Sequence, residues 1–187
     1  MAKSFDKGHE SVAPVSRNPI GLKKDVAEEM CRSLDMHLSA LIALFHQYYK
    51  HHWLVKGPQF RELHLYFQQN YEKVQKHFDA VAERITMLGG IPSSSMQRQE
   101  SQSFISEEAE GDRPVREMLR KDLEDEGLLA EKLRESIILA MDGQDFGSEY
   151  LLKKILYHCE NRAHELDHFL ENDSLEPSAA RPTRSQH

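Results

Sequence analysis

The chain has 187 residues, 31 acidic against 24 basic side chains, a formal net charge of −7 and 39% hydrophobic residues. That length fits one domain with tails, and the acidic balance argues against a nucleic-acid binder that works through overall charge, because phosphate binding needs clustered Lys and Arg. No run approaches the ~18 apolar residues of a membrane span, the opening residues carry no apolar signal core, and Cys31 and Cys159 suit reduced thiols rather than a disulfide framework, so the expected location is cytoplasmic.

Residues 1–20 are mixed polar, interrupted by Pro14 and Pro19, and read as an N-terminal arm. From Leu22 to about Val55, apolar residues recur at steps of three and four (Val26, Met30, Leu34, Leu38, Leu41, Phe45), which predicts an amphipathic helix stopped by Gly57-Pro58. A second run from about Gln59 to Leu88 ends at Gly89-Gly90. Residues 89–112 form a long polar link with room for a short helix. Asp112 followed by Pro114 predicts a capped start for a third long helix, which runs to Gly143. Ser148 predicts the cap of a fourth, running through Leu170, and residues 175–187 read as a tail. The expectation is all-α, a four-helix bundle over residues 21–174, with the long crossover link that marks the ferritin-like variety.

Nine of the eleven histidines lie between positions 37 and 168. On the second helix, His64, Gln68, Asp79 and Glu83 fall within an arc of roughly 100°. His64 and Glu83 are nevertheless about 28 Å apart along the axis at 1.5 Å rise per residue, too far to hold one ion within one chain. A second copy of the helix, antiparallel across a twofold axis near residues 72–73, would set His64 of one subunit beside Asp79 and Glu83 of its mate. His52 reaches the same place through the Gly57-Pro58 turn. Mixed imidazole and carboxylate ligation suits iron, with zinc as competitor. The alternative is a solvated helix face. The sequence contains a single Glu-x-x-His, Glu165 to His168, which argues against the usual di-iron site inside one chain.

The segments His52-Trp53-Leu54-Val55-Lys56-Gly57-Pro58-Gln59-Phe60, Leu63-His64, His77-Phe78-Asp79, Ala82-Glu83-Arg84-Ile85 and Leu88-Gly89-Gly90 resemble the Dps family, mini-ferritins named as DNA-binding proteins from starved cells. Lys50 to Gly57 and Arg162 to Leu170 are similar to cyanobacterial and haloarchaeal members. The resemblance covers about residues 20–175. It implies a hollow homododecamer whose twofold interfaces hold ferroxidase sites, with His52 and His64 from one subunit and Asp79 and Glu83 from the other. Such sites oxidise Fe(II), preferably with hydrogen peroxide, and feed a ferric mineral. Trp53 adjoins the site, as an interceptor of stray oxidising equivalents or as an interface packing residue.

The sequence departs from the family at Gln68, where members often carry aspartate; an amide is the weaker iron ligand. His164 and His168, at i and i+4 on the last helix, are recruits for the second iron, or else surface residues. Asp142, Asp145 and Glu149 sit at the junction that lines the threefold pore in the resembled family, where three copies would make a negative funnel; the alternative is ordinary helix capping. Glu72 is a candidate for mineral nucleation. The arm and tail carry little excess positive charge, so weak or absent DNA binding is expected. The rival class is a non-enzymatic nucleoid protein with a vestigial or zinc-occupied site.

Overall fold

In the computed structural model, which describes residue 15 and residues 17–171, the chain forms five helices and, among those residues, no strand: α1 Lys24–Leu54, α2 Phe60–Met87, α3 Met96–Gln102, α4 Val115–Asp142 and α5 Phe146–Leu170. The long helices form two hairpins, α1 along α2 and α4 along α5, joined chiefly by α1 against α4. The apolar stripes read from the sequence meet in one core, which includes Leu34, Leu41, Phe67, Val81, Leu119, Leu133, Ile155 and Leu166. This is the ferritin-like bundle expected, and the short helix of the link is α3.

The helix ends show why the boundaries fall where they do. At the end of α2, Gly90 N–H donates to the Ile85 carbonyl at 2.9 Å and Gly89 N–H to Thr86 at 2.9 Å. With Gly89 at φ +84° this is a Schellman cap, the conformation glycine supplies most cheaply. The end of α4 uses the same cap differently: Gln144, not Gly143, takes the positive φ of 57°. Gly143 is needed for another reason, because a Cβ there would sit 2.6 Å from Val26 Cγ1. Two expected N-caps differ as well. Pro114 rather than Asp112 precedes α4, and Asp112 pairs with Lys56 instead. Asp145, not Ser148, caps α5, accepting the Ser148 N–H at 3.0 Å.

The link is tied down at both ends. Asp35, buried on α1, accepts Ser93 N–H at 2.8 Å and Ser93 O–H at 2.6 Å. Farther along, Glu108 meets Lys50 at 2.9 Å, Arg113 at 3.2 Å and His51 at 3.3 Å. At the other end of the domain, Val15 and Asn18 of the predicted arm are buried, and Asn18 holds Leu22 by two 3.0 Å hydrogen bonds. Residues 1–14 and 16 of that arm, and the tail from 175, lie outside the described residues. Among the described residues, no helix is long and apolar enough to cross a membrane.

Several polar groups lie inside the bundle. His37 is buried between α1 and α4, its Nε2 2.7 Å from the Ser136 hydroxyl, while Ser33 O–H donates to Ser136 at 2.7 Å. Burial drives the His37 pKa down to about 4, so the imidazole is neutral. Between pH 6.5 and 4 the unfolded chain takes up a proton that the folded chain refuses, so stability falls as pH falls through that window. The loss reaches on the order of 3 kcal/mol by pH 4. Urea unfolding of wild type and His37→Gln across that range checks this: the variant's midpoint is expected to fall less steeply, and parallel curves would refute it.

Candidate metal centre

His52 is in the last turn of α1 and His64 in the second turn of α2; the short 55–59 turn folds one over the other. Their rings stack with centroids 3.7 Å apart at 22°. Each ring bonds the other's backbone: His52 Nδ1 lies 3.0 Å from the His64 carbonyl, and His64 Nδ1 lies 2.9 Å from the His52 carbonyl. A carbonyl can only accept, so each Nδ1 carries the proton and each Nε2 presents its lone pair. That fixed tautomer and ring direction is what a metal-binding imidazole requires.

Aromatic rings hold the pair from the sides. Tyr49 stacks on His52 at 6.3 Å, Tyr71 meets it edge-on at 5.4 Å, and Phe60 lies 4.9 Å from His64. Trp53 packs on Tyr49 at 4.3 Å yet remains 64% exposed. Phe60 and Leu65 nearby are also exposed, so the two imidazoles open onto an aromatic and apolar surface.

Asp79 and Glu83 lie farther along α2, exposed and one turn apart. The chain does not bring them to the two imidazoles, and no group of three or more His, Cys, Asp or Glu converges among the described residues. Gln68 donates its amide to Glu72 at 3.0 Å, which leaves the Gln68 carbonyl oxygen as its ligand-capable atom. His164 and His168 are exposed on α5, with their Nε2 atoms 3.1 Å apart. Two imidazole nitrogens that close share one proton, or present both lone pairs to one cation.

Asp145 has a capping task. It is buried, accepts both Ser148 N–H and Ser148 O–H, and pairs with Arg84, so its carboxylate is not free to face a funnel. Glu149 pairs with Lys153, and Asp142 is exposed.

The interior of the bundle, where a ferritin-like chain would carry an intrachain metal pair, holds a guanidinium instead. Arg162 is 1% exposed and grips Glu126 through Nε and Nη2, the latter at 2.9 Å. Tyr48 donates to the same carboxylate at 2.7 Å. Beside them, His51 lies between Asp122 at 2.9 Å and Glu108 at 3.3 Å. Burial alone would lower the His51 pKa, but the two carboxylates outweigh it and raise it. Sequence reasoning missed this network. Its only signal is that Asp122 and Glu126 occupy positions on the buried stripe of α4 between Leu119 and Leu129.

A family model described as a ferritin-like domain matches residues 31–175. The chain is 34% identical over 168 residues to a nutrient stress-induced DNA-binding protein of a Nostoc species, covering 90% of this chain and 91% of the relative. It belongs to the Dps family of ferritin-like proteins. A DNA protection during starvation protein of Halobacterium salinarum is 34% identical over 151 residues, covering 81% of this chain and 83% of the relative. Among solved structures, an archaeal Dps homologue from H. salinarum superposes with a TM-score of 0.85 at 29% identity, over 96% of this chain and 100% of that one. DpsC from Streptomyces coelicolor gives 0.84 at 26% identity, over 87% and 95%. The helix order and the α3 link of this chain thus sit within a Dps fold.

Proposed function

We propose that the chain is a ferroxidase subunit of a cytoplasmic dodecameric cage that oxidises Fe(II), stores the ferric product and so protects DNA from oxidative damage. The observation that carries this reading is the reciprocal backbone lock of His52 and His64, which fixes both tautomers and leaves each Nε2 as a lone-pair donor. Iron is the substrate there, and zinc, which takes the same donors, is the competing occupant.

The twofold mate supplies Asp79 and Glu83, whose negative charge favours Fe(III) over Fe(II) and lowers the reduction potential of the bound ion. Two Fe(II) ions each lose one electron; one hydrogen peroxide accepts both with two protons and leaves as two waters. Gln68 offers a neutral oxygen near the second ion, and His164 and His168 are the groups available to strengthen its binding. Trp53, exposed beside Tyr49, is placed to donate an electron to an oxidant that escapes. Asp142 and Glu149 remain the acidic residues for a cation path at the threefold junction, and Glu72 for nucleation inside the shell.

Anaerobic addition of Fe(II) and peroxide to the apo protein tests the reading. The expected loss of initial oxidation rate in a His52→Ala/His64→Ala variant is tenfold or more, with no mineral core. An unchanged rate and core would refute it. DNA binding is expected to be weak at physiological salt, because a shell of net negative subunits repels phosphate; a gel shift that persists at that salt would overturn this expectation.

A further inference from the structure

The last turns of α5 and its cap carry His164, Asp167, His168 and Glu171, all exposed. At about 100° per residue these four fall within an arc of roughly 100°. The opposite side of the helix holds Cys159, Arg162 and Leu166, all buried. Helix α2 packs on that buried side: the Tyr66 hydroxyl donates to the Arg162 carbonyl at 3.3 Å, and the Tyr66 ring meets Phe169 with centroids 5.1 Å apart. His164 and His168 therefore face away from α2, and within the chain they stand apart from His52 and His64. Their Nε2 atoms are 3.1 Å apart, and their ring planes cross at 71°. With metal–nitrogen bonds of about 2.05 Å, nitrogens 3.1 Å apart subtend about 98° at a shared ion. That angle lies between those of octahedral and tetrahedral centres, at about 90° and about 109°, so the two rings are already spread to the bite of one cation. The Glu171 carboxylate lies 3.8 Å from His168 Nδ1. A carboxylate on that side favours the proton on Nδ1 and leaves Nε2 to donate its lone pair.

We propose that His164 and His168 form a metal site of their own, which chelates a late first-row divalent cation, copper(II) or zinc(II), through both Nε2 atoms. Two neutral imidazoles bind these ions more tightly than Fe(II), following the general order of stability for nitrogen donors. Solvent completes the coordination, because no third His, Cys, Asp or Glu converges there among the described residues. Asp167 and Glu171, on the same arc, supply negative charge that favours a cation at this face. In the ferroxidase reading the pair lends support to an ion held elsewhere; here it holds one by itself. The site is built from α5 alone and requires neither the twofold mate nor that reading.

Copper(II), added below one equivalent per chain and followed by electron paramagnetic resonance, tests the site in the full chain carrying His52→Ala/His64→Ala. That background removes the imidazoles of the proposed ferroxidase site, so the two readings are judged apart. A copper signal split by two nitrogens is expected there. Adding His164→Ala/His168→Ala is expected to abolish that signal and to weaken copper binding, measured against a competing chelator, by about tenfold or more. A signal that the second pair of substitutions leaves unaltered would place the copper on other imidazoles and overturn the proposal. Copper held by His164 and His168 in wild type but lost with His52 and His64 would make the pair part of the twofold site, and would overturn it equally. Rates of Fe(II) oxidation bear on the ferroxidase reading and leave this result unchanged.

Discussion

Replacing Glu126 by glutamine is expected to destabilise the fold by about 3–5 kcal/mol, more than the loss of any single apolar contact at the surface would. The carboxylate is fully buried and, among the described residues, is the only negative group bonded to Arg162, itself 1% exposed. Glutamine keeps the shape but removes the charge, so a guanidinium is left in a low-dielectric interior without a counter-ion. Burial and the neighbouring carboxylate hold the Tyr48 phenol well above its ordinary pKa, so Tyr48 stays a donor and cannot take over that role. The control is to remove the whole network. A Tyr48→Phe/Glu126→Leu/Arg162→Met variant replaces charge with packing and is expected to come within about 2 kcal/mol of wild type, because a buried pair repays little more than its own desolvation. Urea unfolding of the three proteins checks the contrast. A Glu126→Gln variant as stable as wild type would mean that solvent already screens Arg162.

That network also shows where sequence reading stops. The four long helices were legible because Leu, Ile, Val and Phe recur at helical spacing and because Gly57-Pro58, Gly89-Gly90 and Gly143 interrupt them. The link was legible as polar with room for a short helix, but not that helix's bounds: α3 has no buried residue, so no apolar stripe marks its register. Asp122 and Glu126 lie on the stripe of α4 and look like exposed residues in a window average. Only their partners on α1 and α5, 71 and 36 residues away, make them core.

The histidines divide in the same way. The meeting of His52 and His64 followed from the turn between them, but the mutual bonds to backbone carbonyls did not, because they depend on how closely two helix ends approach. His37, His51 and His77 had no reading from spacing. In the fold they are a neutral core imidazole against Ser136, one whose pKa is raised by the two carboxylates around it, and a ring stacked on His158. Charge assignments of this kind come from burial and neighbours, which a one-dimensional pattern does not contain.

The largest expected effect on activity is a rescue. A His52→Ala/His64→Ala chain and an Asp79→Ala/Glu83→Ala chain, each assembled alone, are both expected to oxidise Fe(II) at less than a tenth of the wild-type rate. Each parent assembly lacks one half of every site. In a mixed dimer the twofold axis sorts the defects: one site collects all four alanines, and the other collects His52 and His64 from one subunit with Asp79 and Glu83 from the other, all intact. At equal expression half of the dimers are mixed and one of their two sites is whole, so about a quarter of the wild-type activity should return. Co-expression with two different tags, sequential purification and native mass spectrometry establish that mixed assemblies are present before rates are compared. The within-chain geometry motivates the experiment, because His52 and His64 meet while Asp79 and Glu83 lie along the same helix beyond their reach. Mixed assemblies that stay as inactive as their parents would show that the carboxylates do not act across the axis. Parents that remain active alone would show that the two imidazoles and the two carboxylates do not form one site.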